Sequence, residues 1–143
     1  MSLASNMNKL NYKTFAMVGD GECEEGSIWE SAMLASKLKL DNIVAIVDRN
    51  RMGVTSAIEK DDGSGTLEDK FKAFGWETIT VDGHNFNSIM KAFKSIDNQK
   101  RPIAIIADTV KGKGVSFMES GIKWHHSVPT EEEFCIAKKE LGY

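Results

Sequence analysis

Three short apolar runs, separated by stretches of helical periodicity, restrict the fold of this chain more than any other feature. The runs cover residues 14–18, 43–47 and 103–107, and each is continuous and rich in β-branched residues. Such runs are typical of parallel strands that are covered on both faces of a sheet. A fourth run, residues 77–81, alternates between polar and apolar residues, which favours a position nearer a sheet edge.

The segments between these runs carry apolar residues at spacings of three and four, which predicts helices. We expect one helix over residues 26–40, a second that Gly75 terminates, a third that Asn85 or Asn87 caps, and a fourth that begins at Thr130. Alternating strands and helices indicate an α/β fold with three layers, in which helices lie on both faces of a mainly parallel sheet.

The length provides material for a single domain. Of the 143 residues, we assign residues 12–143 to that domain and residues 1–11 to an N-terminal extension or to residues added for expression. Residues 51–66 form the one long irregular stretch, and such loops are often functional in compact α/β domains.

Composition excludes several classes of function. The formal net charge of −3 argues against a nucleic-acid partner. The longest apolar run, residues 103–107, is far shorter than the roughly 20 residues that a membrane-spanning helix needs. The two cysteines make no disulfide framework and the N-terminus has no export signal, so we expect a cytoplasmic protein without a membrane or nucleic-acid partner.

The sequence Gly19-Asp20-Gly21-Glu22 follows the first predicted strand, and ligands of parallel sheets bind beyond the carboxyl ends of strands. Its glycines leave backbone N–H groups accessible to phosphate oxygens. A dinucleotide fingerprint is excluded because Glu24 stands where a third small residue is required, and the Gly-Lys-Ser/Thr of a P-loop is missing. The nearby carboxylates would repel a phosphate unless a divalent cation lay between them. An ordinary tight turn remains the alternative.

The second predicted strand ends in Asp48-Arg49-Asn50. Because neighbouring parallel strands end at the same rim of a sheet, Asp20 and Asn50 can converge there. A carboxylate, an amide oxygen and a backbone carbonyl slightly further along the chain make half of the oxygen shell that Mg²⁺ prefers. These residues therefore predict a magnesium site at the rim.

The spacing of Gly19-Asp20-Gly21 and Asn50 resembles the thiamine diphosphate motif of thiamine-dependent enzymes. The blocks GDGECEEGSIWESAMLASKLKLDNIVAIVDRN, FGWETITVDGH, TVKGKGVSFMES and WHH, in this order, are similar to transketolases, particularly to the N-terminal chain of two-subunit transketolases. The resemblance covers residues 12–143 and implies an incomplete thiamine diphosphate-binding fold, because the part that the family has before the first strand is absent. The sequence departs from the family at Arg51 and His126, where smaller residues are usual.

The resemblance implies roles for individual residues. Asp20 and Asn50 would bind Mg²⁺, or Ca²⁺ or Mn²⁺ in its place, through their side chains, and Met52 through its backbone carbonyl. His125 and Glu25 would be the catalytic residues, His125 beside the diphosphate and Glu25 in the coupling of two active sites across a dimer interface. The implied cofactor contacts are Gly19, Asp20, Gly21, Glu22, Asn50 and His125.

The implied activity is transfer of a two-carbon ketol unit from a ketose phosphate to an aldose. It would require a partner chain that carries the pyrimidine-binding domain, and hence a homo- or hetero-oligomer. Other thiamine diphosphate enzyme subunits remain alternatives, namely a pyruvate dehydrogenase alpha-type chain, a deoxyxylulose phosphate synthase or a sulfopyruvate decarboxylase. A truncated, non-catalytic binding or assembly module is the alternative from a different class.

Overall fold

The computed structural model describes residues 1–52, 65–119 and 121–143, except for the side chains of Asn98 and Ile122, so residues 53–64 of the predicted irregular stretch 51–66 lie outside it. The described part contains one parallel sheet in the order β1-β2-β4-β3. The strands are β1 (Thr14–Gly19), β2 (Ile43–Arg49), β3 (Glu77–Asp82) and β4 (Ile103–Asp108). The prediction of an α/β fold with a mainly parallel sheet is confirmed, and β3 lies at an edge as its alternating pattern indicated.

The helices are α1 (Ser2–Met7), α2 (Gly26–Lys37), α3 (Leu67–Ala73), α4 (Phe86–Ser95) and α5 (Glu131–Glu140), and short 3₁₀ turns lie at Gly21–Glu24, Ile96–Asn98 and Ile122–His125. The predicted helix over residues 26–40 ends earlier, because Lys39 adopts a positive φ of 51° and turns the chain towards β2. The helix α1 was not predicted.

The predicted helix ends are confirmed where the sequence carries a capping signal. Gly75 has a φ of +85°, and its N–H donates to Lys72 O at 2.8 Å behind α3. The Asn85 side chain accepts hydrogen bonds from two backbone N–H groups in the first turn of α4. Thr130 and Glu133 form a reciprocal capping box at the start of α5.

Side chains of β2 and β4 point alternately to the two faces of the sheet, and each face has its own apolar cluster. Ala45, Val47, Ala104 and Ile106 pack with α2 and α3, including the buried Phe71. On the other face, Val44, Ile103 and Ile105 pack with α4. Helices therefore lie on both faces of the sheet, and the two central strands hold the rim in place by burial.

The expectation that residues 14–18 are covered on both faces is wrong for this chain. β1 pairs only with β2 among the described residues, and Phe15 and Met17 are 49% and 72% exposed. The centroid of the Phe15 ring lies 5.8 Å from that of Phe93 in α4, which covers the phenyl ring only partly. Within the described part of the chain, β1 is thus an apolar edge strand rather than an interior one.

Residues that precede β1 pack against the start of β2. Ser5 is fully buried, its hydroxyl donates to Leu10 O at 2.8 Å, and the Asn42 amide donates to Ser2 O at 3.2 Å. The division of the chain at residue 11 stays a prediction. No helix in the described part of the chain is long and apolar enough to cross a bilayer.

Candidate active site at the rim of the sheet

Asp20 lies immediately beyond β1 and is only 5% exposed. Its carboxylate accepts hydrogen bonds from Gly21 N at 3.0 Å and from Arg51 N at 2.6 Å. Its own N–H donates to Asp48 O at 3.1 Å, which extends the β1–β2 ladder by one residue. The two strand ends therefore meet at Asp20.

The segment that follows β2 folds back over this carboxylate. Arg51 has a φ of +60°, a left-handed conformation that is unusual for a residue with a side chain. This turn directs the Arg51 N–H at Asp20 and the Met52 N–H at Asn50 Oδ1, 2.9 Å away. Asp20, Asn50 and Met52, which the sequence assigned to one metal site, thus lie in adjoining hydrogen-bonded turns.

The electrostatics of this cluster suit a divalent cation. Burial, and secondarily the negative charge of Asp48, raises the pKa of Asp20. The described donors to Asp20 and Asp48 are uncharged backbone, amide and hydroxyl groups. In the described part of the chain, no group of three or more His, Cys, Asp or Glu residues could hold a metal ion. The available set of one carboxylate, one amide oxygen and one carbonyl is a hard-oxygen set, and it fits Mg²⁺.

The glycine turn itself is closed by carboxylates. Glu22 Oε2 accepts a hydrogen bond from Gly19 N at 2.6 Å, so this predicted cofactor contact faces the turn backbone. Gly21 N donates to Asp20 Oδ1. Glu25 is exposed at the junction of the 3₁₀ turn and α2, where it accepts no described side-chain cap bond.

A second cluster at the same rim was not predicted. Arg49 donates through Nε and Nη2 to both oxygens of Asp108, and through Nη1 to both oxygens of Glu68, all at 2.8–2.9 Å. Hydrogen bonds from Arg49 hold the pKa of Asp108 below its ordinary value. Burial alone would raise the pKa of Glu68. The hydrogen bonds from Thr80 and Arg49 outweigh burial, so the pKa of Glu68 also lies below its ordinary value.

A sequence signal for this cluster exists. Each of the four apolar runs is followed within two residues by an aspartate, namely Asp20, Asp48, Asp82 and Asp108. Parallel strands bring all four to one rim, so this repeated position marks the edge where charge must be neutralised.

Similarity to known proteins places this chain in one family. Residues 3–143 match the family described as "Transketolase, thiamine diphosphate binding domain". The chain belongs to this transketolase family. Over 143 residues it is 44% identical to an apulose-4-phosphate transketolase subunit of Phocaeicola vulgatus, covering 99% of this chain and 51% of that protein. It is 39% identical over 142 residues to the 6-deoxy-6-sulfo-D-fructose transketolase subunit SqwG of Clostridium sp., covering 99% and 52%.

The fold of this transketolase-family domain also matches solved structures. The transketolase of Campylobacter jejuni superimposes with a TM-score of 0.87 at 29% identity, over 99% of this chain and 23% of that one. The chain spans about half the length of the two curated relatives named above. The recognition as a transketolase thiamine diphosphate-binding domain and the predicted fold class are therefore confirmed.

In this transketolase-family chain, His125 ends the 3₁₀ turn Ile122–His125, and its ring packs edge-on against His126 with centroids 4.5 Å apart. Its Nδ1 is buried and has no hydrogen-bond partner among the described residues. Loss of water contact, followed by the charges of Lys111 and His126, lowers the pKa of His125, which favours its neutral form. No described hydrogen bond joins His125 to the Asp20 cluster.

The glycine-rich segment after β4 is tied down at several points. His84 Nε2 accepts from Val110 N at 2.7 Å, and Glu119 Oε1 accepts from Gly114 N at 3.0 Å. Glu140 of α5 accepts from both the backbone and the hydroxyl of Ser116. These bonds give the segment that precedes His125 a defined shape.

Proposed function

We propose that this chain provides the diphosphate- and metal-binding half of a transketolase active site, and that the site transfers a two-carbon ketol unit from a ketose phosphate to an aldose. The observation that carries the proposal is the hydrogen-bonded cluster at the carboxyl ends of β1 and β2, in a domain whose family binds thiamine diphosphate. We expect Mg²⁺ between the cluster and the diphosphate, with Ca²⁺ or Mn²⁺ as substitutes.

Asp20, Asn50 and Met52 would bind the metal, the first two through side-chain oxygens and the third through its carbonyl. The N–H groups of Gly19 and Gly21 donate to carboxylate oxygens in this structure, which supports their use by anionic diphosphate oxygens. When bound, thiamine diphosphate supplies the carbanion chemistry of carbon–carbon bond cleavage.

The His125 imidazole, whose pKa is lowered by loss of water contact, has a buried Nδ1 with no hydrogen-bond partner among the described residues, which supports a role in hydrogen bonding or proton transfer to a substrate or phosphate oxygen. Glu22 would give up its hydrogen bond with Gly19 N and contact the cofactor instead. Glu25, which is exposed immediately before α2, would contact a second chain. These roles follow from the family resemblance of the residues.

A partner chain with a pyrimidine-binding domain is part of the proposal, in a homo- or hetero-oligomer that acts on sugar phosphates. The support is that two relatives are themselves named as transketolase subunits. The exposed apolar edge of β1 is a further reason to expect association. A cytoplasmic location belongs to the same proposal and is supported by the free thiols of Cys23 and Cys135.

Calorimetric titration with Mg²⁺ and thiamine diphosphate tests the metal site. We expect the wild-type chain to bind the cofactor only with the metal, and Asp20→Asn, which keeps the shape but removes the charge, to lose that binding. Asp82→Asn is the matched control, because Asp82 also ends a strand but its carboxylate accepts only the His84 N–H among the described hydrogen bonds. Equal binding by wild type and Asp20→Asn would contradict the proposed metal site.

An activity assay tests the need for a partner. The purified chain should not convert a mixture of xylulose 5-phosphate and ribose 5-phosphate. Ketol transfer by the chain alone would contradict the split active site.

A further inference from the structure

Asp48 is the penultimate residue of β2, and its side chain lies between those of Asn50 and Thr109. The proposed function gives Asp48 itself no role. One carboxylate oxygen accepts a hydrogen bond from the Thr109 hydroxyl, and the other accepts from Asn50 Nδ2 at 3.1 Å. The Asp48 main-chain carbonyl accepts from Asp20 N. Asp48 therefore contacts both strand ends of the candidate site.

The contact between Asp48 and Asn50 has a chemical consequence. A side-chain amide has an oxygen end that can bind a cation and an NH₂ end that repels one. A carboxylate can only accept, so it binds the NH₂ end of Asn50 and leaves Oδ1 on the opposite side, where Met52 N donates to it at 2.9 Å. Without Asp48 only the Met52 N–H bond, among the described hydrogen bonds, would hold the amide, and orientations that present NH₂ to the metal would become more populated.

Thr109 is itself placed by the architecture of the rim. Its N–H donates to Arg49 O at 3.2 Å, which prolongs the β2–β4 pairing. A Cβ at Gly83 would come within 2.5 Å of the Thr109 methyl carbon and 3.0 Å of Asp108 O. The glycine of the Val81-Asp82-Gly83-His84 sequence therefore leaves the space that Thr109 needs.

We propose that Asp48, held by Thr109, is a positioning residue that orients the Asn50 amide so that Oδ1 faces the metal. The proposal rests on the proposed metal site, and it adds residues that do not touch the metal or the cofactor. Hydrogen-bonding partners of metal ligands commonly change metal affinity by about 10- to 100-fold when they are removed.

The first measurement is the affinity for Mn²⁺ in the presence of thiamine diphosphate, with electron paramagnetic resonance as the method of detection. We expect Asp48→Ala to weaken Mn²⁺ binding by about 10- to 100-fold, and Thr109→Val to weaken it less. Asp48→Asn keeps a carbonyl oxygen for Asn50 Nδ2 and should retain most of the affinity. If Asp48→Asn is as weak as Asp48→Ala, the charge of Asp48 matters instead, and the orienting role is overturned.

The second measurement needs no metal. The side-chain NH₂ signals of Asn50, identified in NMR spectra by their loss in Asn50→Ser, should be protected from solvent exchange in the wild type. They should lose that protection in Asp48→Ala and keep it in the control Asp82→Ala. Unchanged exchange in Asp48→Ala would overturn the inference even if Mn²⁺ binds. Protected signals in a chain that binds no Mn²⁺ would support the orienting contact and count against the proposed metal site alone.

Discussion

Replacement of Arg49 by methionine should destabilise the chain more than any other single loss of charge at the rim. The Arg49 side chain is 15% exposed and forms four hydrogen bonds to two carboxylates. Removing one partner of a buried ion pair costs about 3–5 kcal/mol, whereas a surface pair is worth about 0–1 kcal/mol. Glu68 is 18% exposed and Asp108 is 41% exposed, so the pair is intermediate.

The carboxylates would keep part of their stabilisation. Glu68 retains the hydrogen bond from the Thr80 hydroxyl, and Asp108 retains the one from Arg51 Nη2. We therefore expect a loss of about 2 kcal/mol in the free energy of unfolding for Arg49→Met at pH 7, below the range for fully buried pairs. Arg49→Lys should cost about 1 kcal/mol, because a single ammonium group cannot bind two carboxylates through paired hydrogen bonds.

Urea unfolding followed by far-ultraviolet circular dichroism measures these values. Arg101→Met is the matched control, since Arg101 lies 3.7 Å from Glu77 in an exposed pair, and its loss should change stability by no more than about 0.5 kcal/mol. A double-mutant cycle of Arg49→Met with Glu68→Gln should give a coupling of about 1 kcal/mol. Additive effects, or a loss for Arg49→Met equal to that of the control, would refute the reasoning.

Three further predictions concern other parts of the chain. Thr130→Ala should lower the free energy of unfolding by about 1 kcal/mol, because the first turn of α5 loses its cap, and an unchanged urea midpoint would contradict this. At pH 8, an aromatic disulfide reagent should modify the exposed Cys135 quickly and Cys23 only after unfolding, since burial raises the pKa of Cys23 to about 11; two fast equivalents would be inconsistent with it. Hydrogen bonds from Ser116 lower the pKa of Glu140, so their stabilisation is present above the ordinary glutamate pKa of about 4.3 and is lost as the pH falls through the lower folded-state value. The amide shift of Ser116 should titrate below that ordinary value, and a midpoint at or above it would argue against the contact.

The sheet and most helix ends were predictable because they depend on local signals. Continuous β-branched runs gave β2 and β4, and Gly75, Asn85 and Thr130 marked helix boundaries through backbone and capping chemistry. The exposure of β1 was not predictable, since the run of residues 14–18 looks the same whether or not another strand lies beside it. The helix α1 was not predictable, because it is held by contacts between residues far apart in sequence, such as that of Ser2 with Asn42.

The site was predictable only to the extent that it follows from strand topology. Adjacent parallel strands bring Asp20 and Asn50 to one rim, and the structure has both there. The pairing of Arg49 with Asp108 depends on β2 and β4 being neighbours, which the order β1-β2-β4-β3 provides but which no local pattern specifies. The orientation of Asn50 likewise depends on a contact that only the folded chain makes.

The two charge clusters at the rim meet at Arg51, through its backbone on one side and its side chain on the other. Its backbone N–H donates to the buried carboxylate of Asp20, while its Nη2 donates to Asp108 at 3.1 Å. The left-handed conformation of Arg51 costs roughly 1–2 kcal/mol, a cost that glycine would not carry. The ion pair with Asp108 offsets part of that cost, so an arginine can hold the turn that a smaller residue would form. At the carboxyl end of β4 the carboxylate of Asp108 is neutralised by arginines. At the carboxyl ends of β1 and β2, by contrast, Asp20 and Asp48 have uncharged described donors, which leaves a position suited to a cation at that end of the rim.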